Sequence, residues 1–183
     1  DLIWKQQVGD CVWNAAFSSV GDRIACGTDQ GKVVILREED GRNLASFDVD
    51  LGSEGTPTCL AWSHDDRFVA VAGRYGNHSI SISRLEPDPV VEHVLVGHDA
   101  AIFALRFSLD DRTLVSISAD RTLRFWNLTS GELAGVIPVG KKFNFFNDGL
   151  HVESNSVCAL VGTENVTELW RWNSTFRGRA KLI

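Results

Sequence analysis

His98, Ser116 and Asp120 are the residue types of a nucleophilic triad. In such a triad a histidine takes the proton of a serine hydroxyl and a carboxylate holds the imidazole in one tautomer. Triads are defined by geometry and not by chain order, so the types alone also fit a buried hydrogen-bonded chain with no chemistry. The other chemical candidates are thinner. His64-Asp65-Asp66 has metal-ligand types, but crowded into one polar stretch of the kind that forms turns. His78, His93 and His151 lack partners at ligand spacing. Gly27-Thr28-Asp29-Gln30-Gly31 is glycine-rich without leading from a strand into a helix, which a phosphate cradle requires. Cys11, Cys26, Cys59 and Cys158 form no C-x-x-C pair, so no metal and no cofactor is assigned.

The elements that must position these residues follow from a repeat. Phe17-Ser18, Trp62-Ser63 and Phe107-Ser108 recur at one spacing. Each is followed by a polar turn and an arginine, in Gly21-Asp22-Arg23, Asp65-Asp66-Arg67 and Asp110-Asp111-Arg112, and then by an apolar run. Within the third unit Ala101–Phe107, Thr113–Ser118, Thr122–Trp126 and Glu132–Ile137 are short, rich in β-branched and aromatic residues, and separated by turn residues. No stretch shows the period of a long amphipathic helix. Four short strands per unit predict an all-β array of propeller blades.

Gly97-His98, Phe107-Ser108, Ser116, Asp120 and Trp126-Asn127 together resemble a WD40 repeat, with Asn127 in place of the usual aspartate. The resemblance covers nearly the whole chain and implies a WD40-type β-propeller segment of four four-stranded antiparallel blades forming an incomplete ring. Residues 1–10 are then the outer strand of a preceding blade, and the blades span 11–48, 56–96, 97–140 and 141–183. The first has Gly9-Asp10 for Gly-His and Leu36-Arg37 where Trp-Asp would fall; the second has Ser83-Arg84 there; the fourth keeps Trp172-Asn173. Its first strand is expected near Gly149–Val152, after a loop over Lys141–Asp148, and Arg179–Ile183 is expected as its outer strand. The resemblance further implies that His98, Ser116, Asp120 and Trp126 form a structural tetrad: His98 bonded to Asp120 and Ser116, and Ser116 to the Trp126 indole. On that reading none of the four is catalytic, and the chain is not an enzyme.

Family placement also puts Trp13, Thr58 and Phe103 at one position of the first strand, near the channel mouth. Arg74 and Tyr75, in the second blade's long turn, and Arg121, in the third's, belong to the same face. Trp13, Phe103, Arg74, Tyr75 and Arg121 are the candidate partner-binding residues, since aromatics and arginine anchor interfaces. The expected function is a non-catalytic protein–protein interaction scaffold in a multi-subunit assembly. The alternatives are an accessory subunit positioning an RNA- or chromatin-modifying enzyme, and a propeller-based hydrolase. A net charge of −6 argues against direct nucleic-acid binding. No apolar run reaches membrane-spanning length. Scattered cysteines in apolar runs suit the cytoplasm or nucleus, and the sequons at Asn77, Asn127, Asn165 and Asn173 read as turn and strand-end asparagines. The sequence contains no methionine, so the chain is expected to be processed or cut from a longer protein. Four blades are too few for the usual ring, so its partners are expected to include the remaining blades, supplied by the parent chain, a partner subunit or a second copy.

Overall fold

In a computed structural model of the chain, residues 2–9, 11–52, 55–139, 144–153, 156–162 and 167–173 are described. The side chains of 144–149, 160–162, 167–170, 172 and 173 are outside that description. Every described element is a strand. The first sheet holds β1 (Val12–Phe17), β2 (Arg23–Thr28), β3 (Lys32–Arg37) and β4 (Asn43–Asp48). The second holds β5 (Pro57–Trp62), β6 (Phe68–Gly73), β7 (Ile80–Arg84) and β8 (Val90–Leu95). The third holds β9 (Ile102–Phe107), β10 (Thr113–Ser118), β11 (Thr122–Asn127) and β12 (Glu132–Pro138). The fourth holds β13 (Asn144–Val152), β14 (Ser156–Gly162) and β15 (Thr167–Asn173). All are antiparallel meanders of neighbouring strands. No helix among the described residues is long and apolar enough to cross a membrane.

The second strand of each complete sheet is almost wholly buried and the third largely so, while the fourth alternates or lies open. This pattern arises because each sheet is sandwiched between neighbours. Ala25, Val33 and Ile35 of the first sheet pack on Leu60, Trp62, Val69 and Val71 of the second. Ala70, Ala72, Ile80 and Ile82 of the second pack on Leu105, Phe107, Leu114 and Trp126 of the third. Val115, Ile117, Leu123 and Phe125 of the third pack on Leu150, Val157 and Ala159 of the fourth. Each sheet thus has a leading face, turned to its predecessor, and a trailing face, turned to its successor. The first and fourth sheets share no strand pairing and no core cluster among the described residues, so the array is open.

Three expectations need correction, and a fourth falls outside the described residues. The fourth sheet has three strands among the described residues, and the outer strand expected at Arg179–Ile183 lies outside them. Its first strand begins at Asn144, inside the expected loop. The ladder breaks between Phe145 and Leu150, so the turn-forming Asn147-Asp148-Gly149 is absorbed as an irregularity while Phe145-Phe146 joins the strand. Residues 2–9 form no strand. Lastly, the repeated arginines are not equivalent. The amides of Ser18, Ser63 and Ser108 bond the carbonyls of Arg23, Phe68 and Thr113, which aligns Arg23 with those residues and Asp22 with Arg67 and Arg112. The three turns have the same length, so the arginine of the first simply falls one position later, which spacing by residue type hides.

Candidate functional site

The chain of polar groups in the third sheet begins at the indole of Trp126, on the edge of the leading face. Its Nε1–H donates to Ser116 Oγ at 2.8 Å, and Ser116 Oγ lies 2.7 Å from His98 Nε2. His98 Nδ1 lies 2.7 Å from Asp120 Oδ2. The indole N–H can only donate, so Ser116 Oγ accepts it and keeps its own proton free to point at Nε2, an arrangement in which Nδ1–H donates to the carboxylate. Burial lowers the His98 pKa from its ordinary 6.5 against the opposing pull of Asp120, which favours the neutral imidazole. Asp120 is lowered overall: burial would raise it, but hydrogen bonds from His98 and Thr122 more than compensate.

Thr122 and Arg124 complete this network, and sequence reasoning missed both. Thr122 Oγ1 donates to Asp120 Oδ1 at 2.7 Å, and Arg124 Nη2 is 3.5 Å from Asp120 Oδ2. Arg124 also explains the glycine before the histidine. Gly97 holds φ +154°, and a Cβ there would lie 2.5 Å from Arg124 Nη1. The constellation has triad connectivity without triad access, because Ser116 is fully buried and His98 nearly so. A nucleophile needs an open side on which a substrate carbonyl can sit. By ladder register the position of Trp126 is taken by Leu36 in the first sheet and Ser83 in the second, and that of Ser116 by Cys26 and Val71. Among the described residues the network exists once.

His64-Asp65-Asp66 and Asp110-Asp111 act between sheets. Asp66 stands at φ +57° and accepts the amides of Ser19 at 2.5 Å and Val20 at 3.0 Å from the first sheet's β1–β2 turn. Asp111, at φ +53°, accepts the amides of His64 at 2.8 Å and Asp65 at 2.9 Å from the second sheet's turn. Each carboxylate pins its own turn to the preceding one. Trp62 adds an indole bond to Ala16 O at 2.9 Å, and Arg23 reaches forward over the Trp62 ring at 5.2 Å to bond Asp66 O. Among the described residues no group of three or more His, Cys, Asp or Glu is placed to hold a metal ion.

Trp13, Thr58 and Phe103 share a backbone feature that sequence could not display. The β1–β2 pairing shifts between Val12 and Asn14, β5–β6 between Pro57 and Cys59, and β9–β10 between Ile102 and Ala104. In all three sheets the named residue is the extra, unpaired one, and a bulge re-aims its side chain. Trp13 is 52% exposed and Phe103 half-buried. Arg74, exposed in the β6–β7 turn, lies 5.7 Å over the Phe103 ring, and Tyr75 beside it is 58% exposed. Arg121, in the β10–β11 turn, is exposed at φ +67°. The structure thus brings Arg74 to Phe103, whereas Trp13, Tyr75 and Arg121 stand as separate exposed groups. An open groove of about 390 Å³ runs along the inner strands, lined by Asn14, Phe17, Cys59, His64, Phe103 and Arg106 among others.

A family model described as "WD domain, G-beta repeat" matches residues 90–127, the stretch that holds the tetrad. The chain carries a WD40 repeat and has the WD40-type β-propeller fold. It is 28% identical to Protein FIZZY-RELATED 3 of Arabidopsis thaliana over 90% of this chain and 30% of that protein. It is 27% identical to WD repeat-containing protein 1 of Gallus gallus over 85% of this chain and 25% of that protein. The solved structure of U3-55K superposes with a TM-score of 0.72 at 18% identity, over 87% of this chain and 48% of that one. The WD40 chain therefore spans a quarter to a third of these relatives and about half of the solved propeller. The family model falls on the third blade because only there do His98, Ser116, Asp120 and Trp126 coincide.

Proposed function

We propose that the chain is a non-catalytic protein-interaction platform, and that it takes its partner at the end of the blades that carries the bulged first-strand residues. The observation that carries this reading is the Arg74–Phe103 pair, a guanidinium over a ring at a bulge, flanked by exposed Tyr75. Side chains of these types on loops of a rigid scaffold supply binding energy without chemistry. Trp13 and Arg121 are separate exposed groups of the first and third blades that the same partner would reach. Two arginines among three aromatics favour an acidic peptide segment with an apolar anchor. The burial of Ser116 speaks against the hydrolase alternative.

Selection of a random peptide library on the purified chain tests this. Acidic, apolar-anchored peptides are expected. Phe103→Ala and Arg74→Ala should each weaken the best of them by about 1 kcal/mol or more, while cooperative melting is retained. Peptides of no common chemistry, or binding indifferent to both substitutions, would overturn the reading.

A further inference from the structure

In the first and third blades, the hairpin between the third and fourth strands is capped by an aromatic ring. On the third blade the cap is His93, from the outer strand of the second. Its ring lies on Gly131, where a Cβ would come within 2.7 Å of Nδ1, and its Nε2 is 2.9 Å from Leu128 O. On the first blade the cap is Trp4. Its ring lies on Gly41, where a Cβ would come within 2.5 Å of Cε3, and its Nε1–H donates to Glu38 O at 2.7 Å. Glu38, Leu85 and Leu128 are equivalent, since their amides bond Asp22 O, Arg67 O and Arg112 O. A carbonyl can only accept, so both rings present an N–H to the same backbone position.

The hairpin of the second blade carries no such ring among the described residues. Ladder register puts Ala45 of β4, opposite Ile35, where β8 carries His93, opposite Ile82. A methyl group stops short of filling that place, and an open groove of about 410 Å³ is left between the first two blades, with Ala45 and Leu85 in its lining. Leu44 forms one wall: it is the unpaired residue where β4 shifts register on β3, and it is 46% exposed. The hairpin forms the other, with Pro87 and Pro89 in place of a glycine turn. The exposed carboxylates of Asp22, Glu86 and Asp88 stand on the rim. Arg23 also lines the groove, but its guanidinium is engaged, with Nη1 3.4 Å from Glu86 Oε1 and Nη2 donating to Asp66 O at 3.0 Å.

We propose that this groove is a docking site for a cationic peptide segment that lays a nitrogen-bearing aromatic ring, tryptophan or histidine, over Leu85. The molecule itself defines the shape of the occupant, since Trp4 and His93 fill the equivalent place on the neighbouring blades. The carboxylates define its charge. Basic residues flanking the ring meet Asp22 on the side of the first blade and Glu86 and Asp88 on the side of the second. The groove lies at the opposite end of the strands from the Arg74–Phe103 pair and selects the opposite charge, so the two surfaces are tested separately.

Fluorescence anisotropy of labelled peptides with the purified chain tests this. The probes are a tryptophan flanked on each side by a pair of arginines, the same peptide with alanine for tryptophan, and the same with glutamates for the arginines. The first is expected to bind about tenfold or more tightly than either of the others. Ala45→His places the chain's own ring over Leu85; it should raise Tm and weaken the first peptide about tenfold or more. Asp88→Lys, in the exposed hairpin, should weaken it several-fold without moving Tm. Asp48→Lys makes the same charge change at the far end of β4 and should leave the affinity unaltered. Absence of binding overturns the proposal, as does an affinity indifferent to the ring, to Ala45→His or to Asp88→Lys.

Discussion

Removing the carboxylate of Asp111 separates two roles that this residue combines. It accepts two amides of the neighbouring blade's turn, at 2.8 and 2.9 Å, and it holds φ +53°, which a residue with a Cβ adopts at a cost. Bonds to a charged acceptor contribute roughly 1.5–3 kcal/mol each, but His64 and Asp65 are exposed and water replaces part of the loss, so about 2 kcal/mol is expected for the pair. An alanine in the left-handed region adds about 1 kcal/mol, which glycine would recover. The expected order of destabilisation is therefore Asp111→Ala at about 3 kcal/mol, Asp111→Gly at about 2 and Asp111→Asn at about 1, asparagine keeping one acceptor and tolerating the backbone. Urea unfolding followed by the fluorescence of the six tryptophans reads these differences. If alanine proves no worse than glycine, the backbone argument is wrong; if asparagine matches the native residue, the charge plays no part in the staple.

Three further outcomes follow from the third blade and its neighbour. Because burial lowers the pKa of His98, the unfolded chain gains a proton there as pH falls through 6.5 while the folded one resists, so this stability is full above 6.5 and is lost below it. His98→Gln should lower stability at neutral pH and flatten its decline between about pH 7 and about pH 5, read by urea titration at each pH. Gly97→Ala should cost about 1–3 kcal/mol by driving Arg124 off Asp120, visible as a lower Tm that Gly97→Ala/Arg124→Ala together do not lower much further. Ser83 is fully buried with no partner for its hydroxyl, so Ser83→Ala should leave Tm unchanged or raise it, in contrast to Ser116→Ala, which strands the indole N–H.

The strand order of the first three blades was legible because the signal is periodic: an aromatic-serine pair at the end of the first strand, then a polar turn, then an apolar run, whereas the fourth was marked by Trp172-Asn173. The tetrad's members were legible through the family pattern, and their distances agree with a closed hydrogen-bonded chain. Thr122 and Arg124 were not, because a threonine and an arginine beside a strand start look like any other strand residues until Asp120 is seen between them. Asp66 and Asp111 read as ordinary turn acids, since a contact between turns of successive blades leaves no mark in local sequence. Trp13 and Phe103 were aligned correctly from the chain, but the bulge that ejects them from the ladder belongs to backbone pairing. The arginine repeat shows the opposite failure, an agreement of residue type that the hydrogen bonds dissolve.

The first two blades lack the tetrad of the third, and their polar bonds are placed elsewhere. In the third blade the network runs within one sheet, from the loop before β9 through β10 to β11, and protects the sheet from within. The second blade has only Ser83 and Val71 at the matching positions, yet its β5–β6 turn is held on both sides, by Asp66 reaching back to Ser19 and Val20 and by Asp111 reaching in to His64 and Asp65. Trp62 and Arg23 add a second tie to the first blade. Stability in a repeat array is a sum of terms within units and between neighbours, so a blade that forfeits the first kind persists by holding the second. The two kinds respond differently to sequence change. An internal network tolerates no partial loss, because each member strands the next, whereas a staple between turns is a single residue that can be gained or dropped in one step. Gly21, at the position of Asp66 and Asp111, is a blade on which the backward-reaching carboxylate is missing.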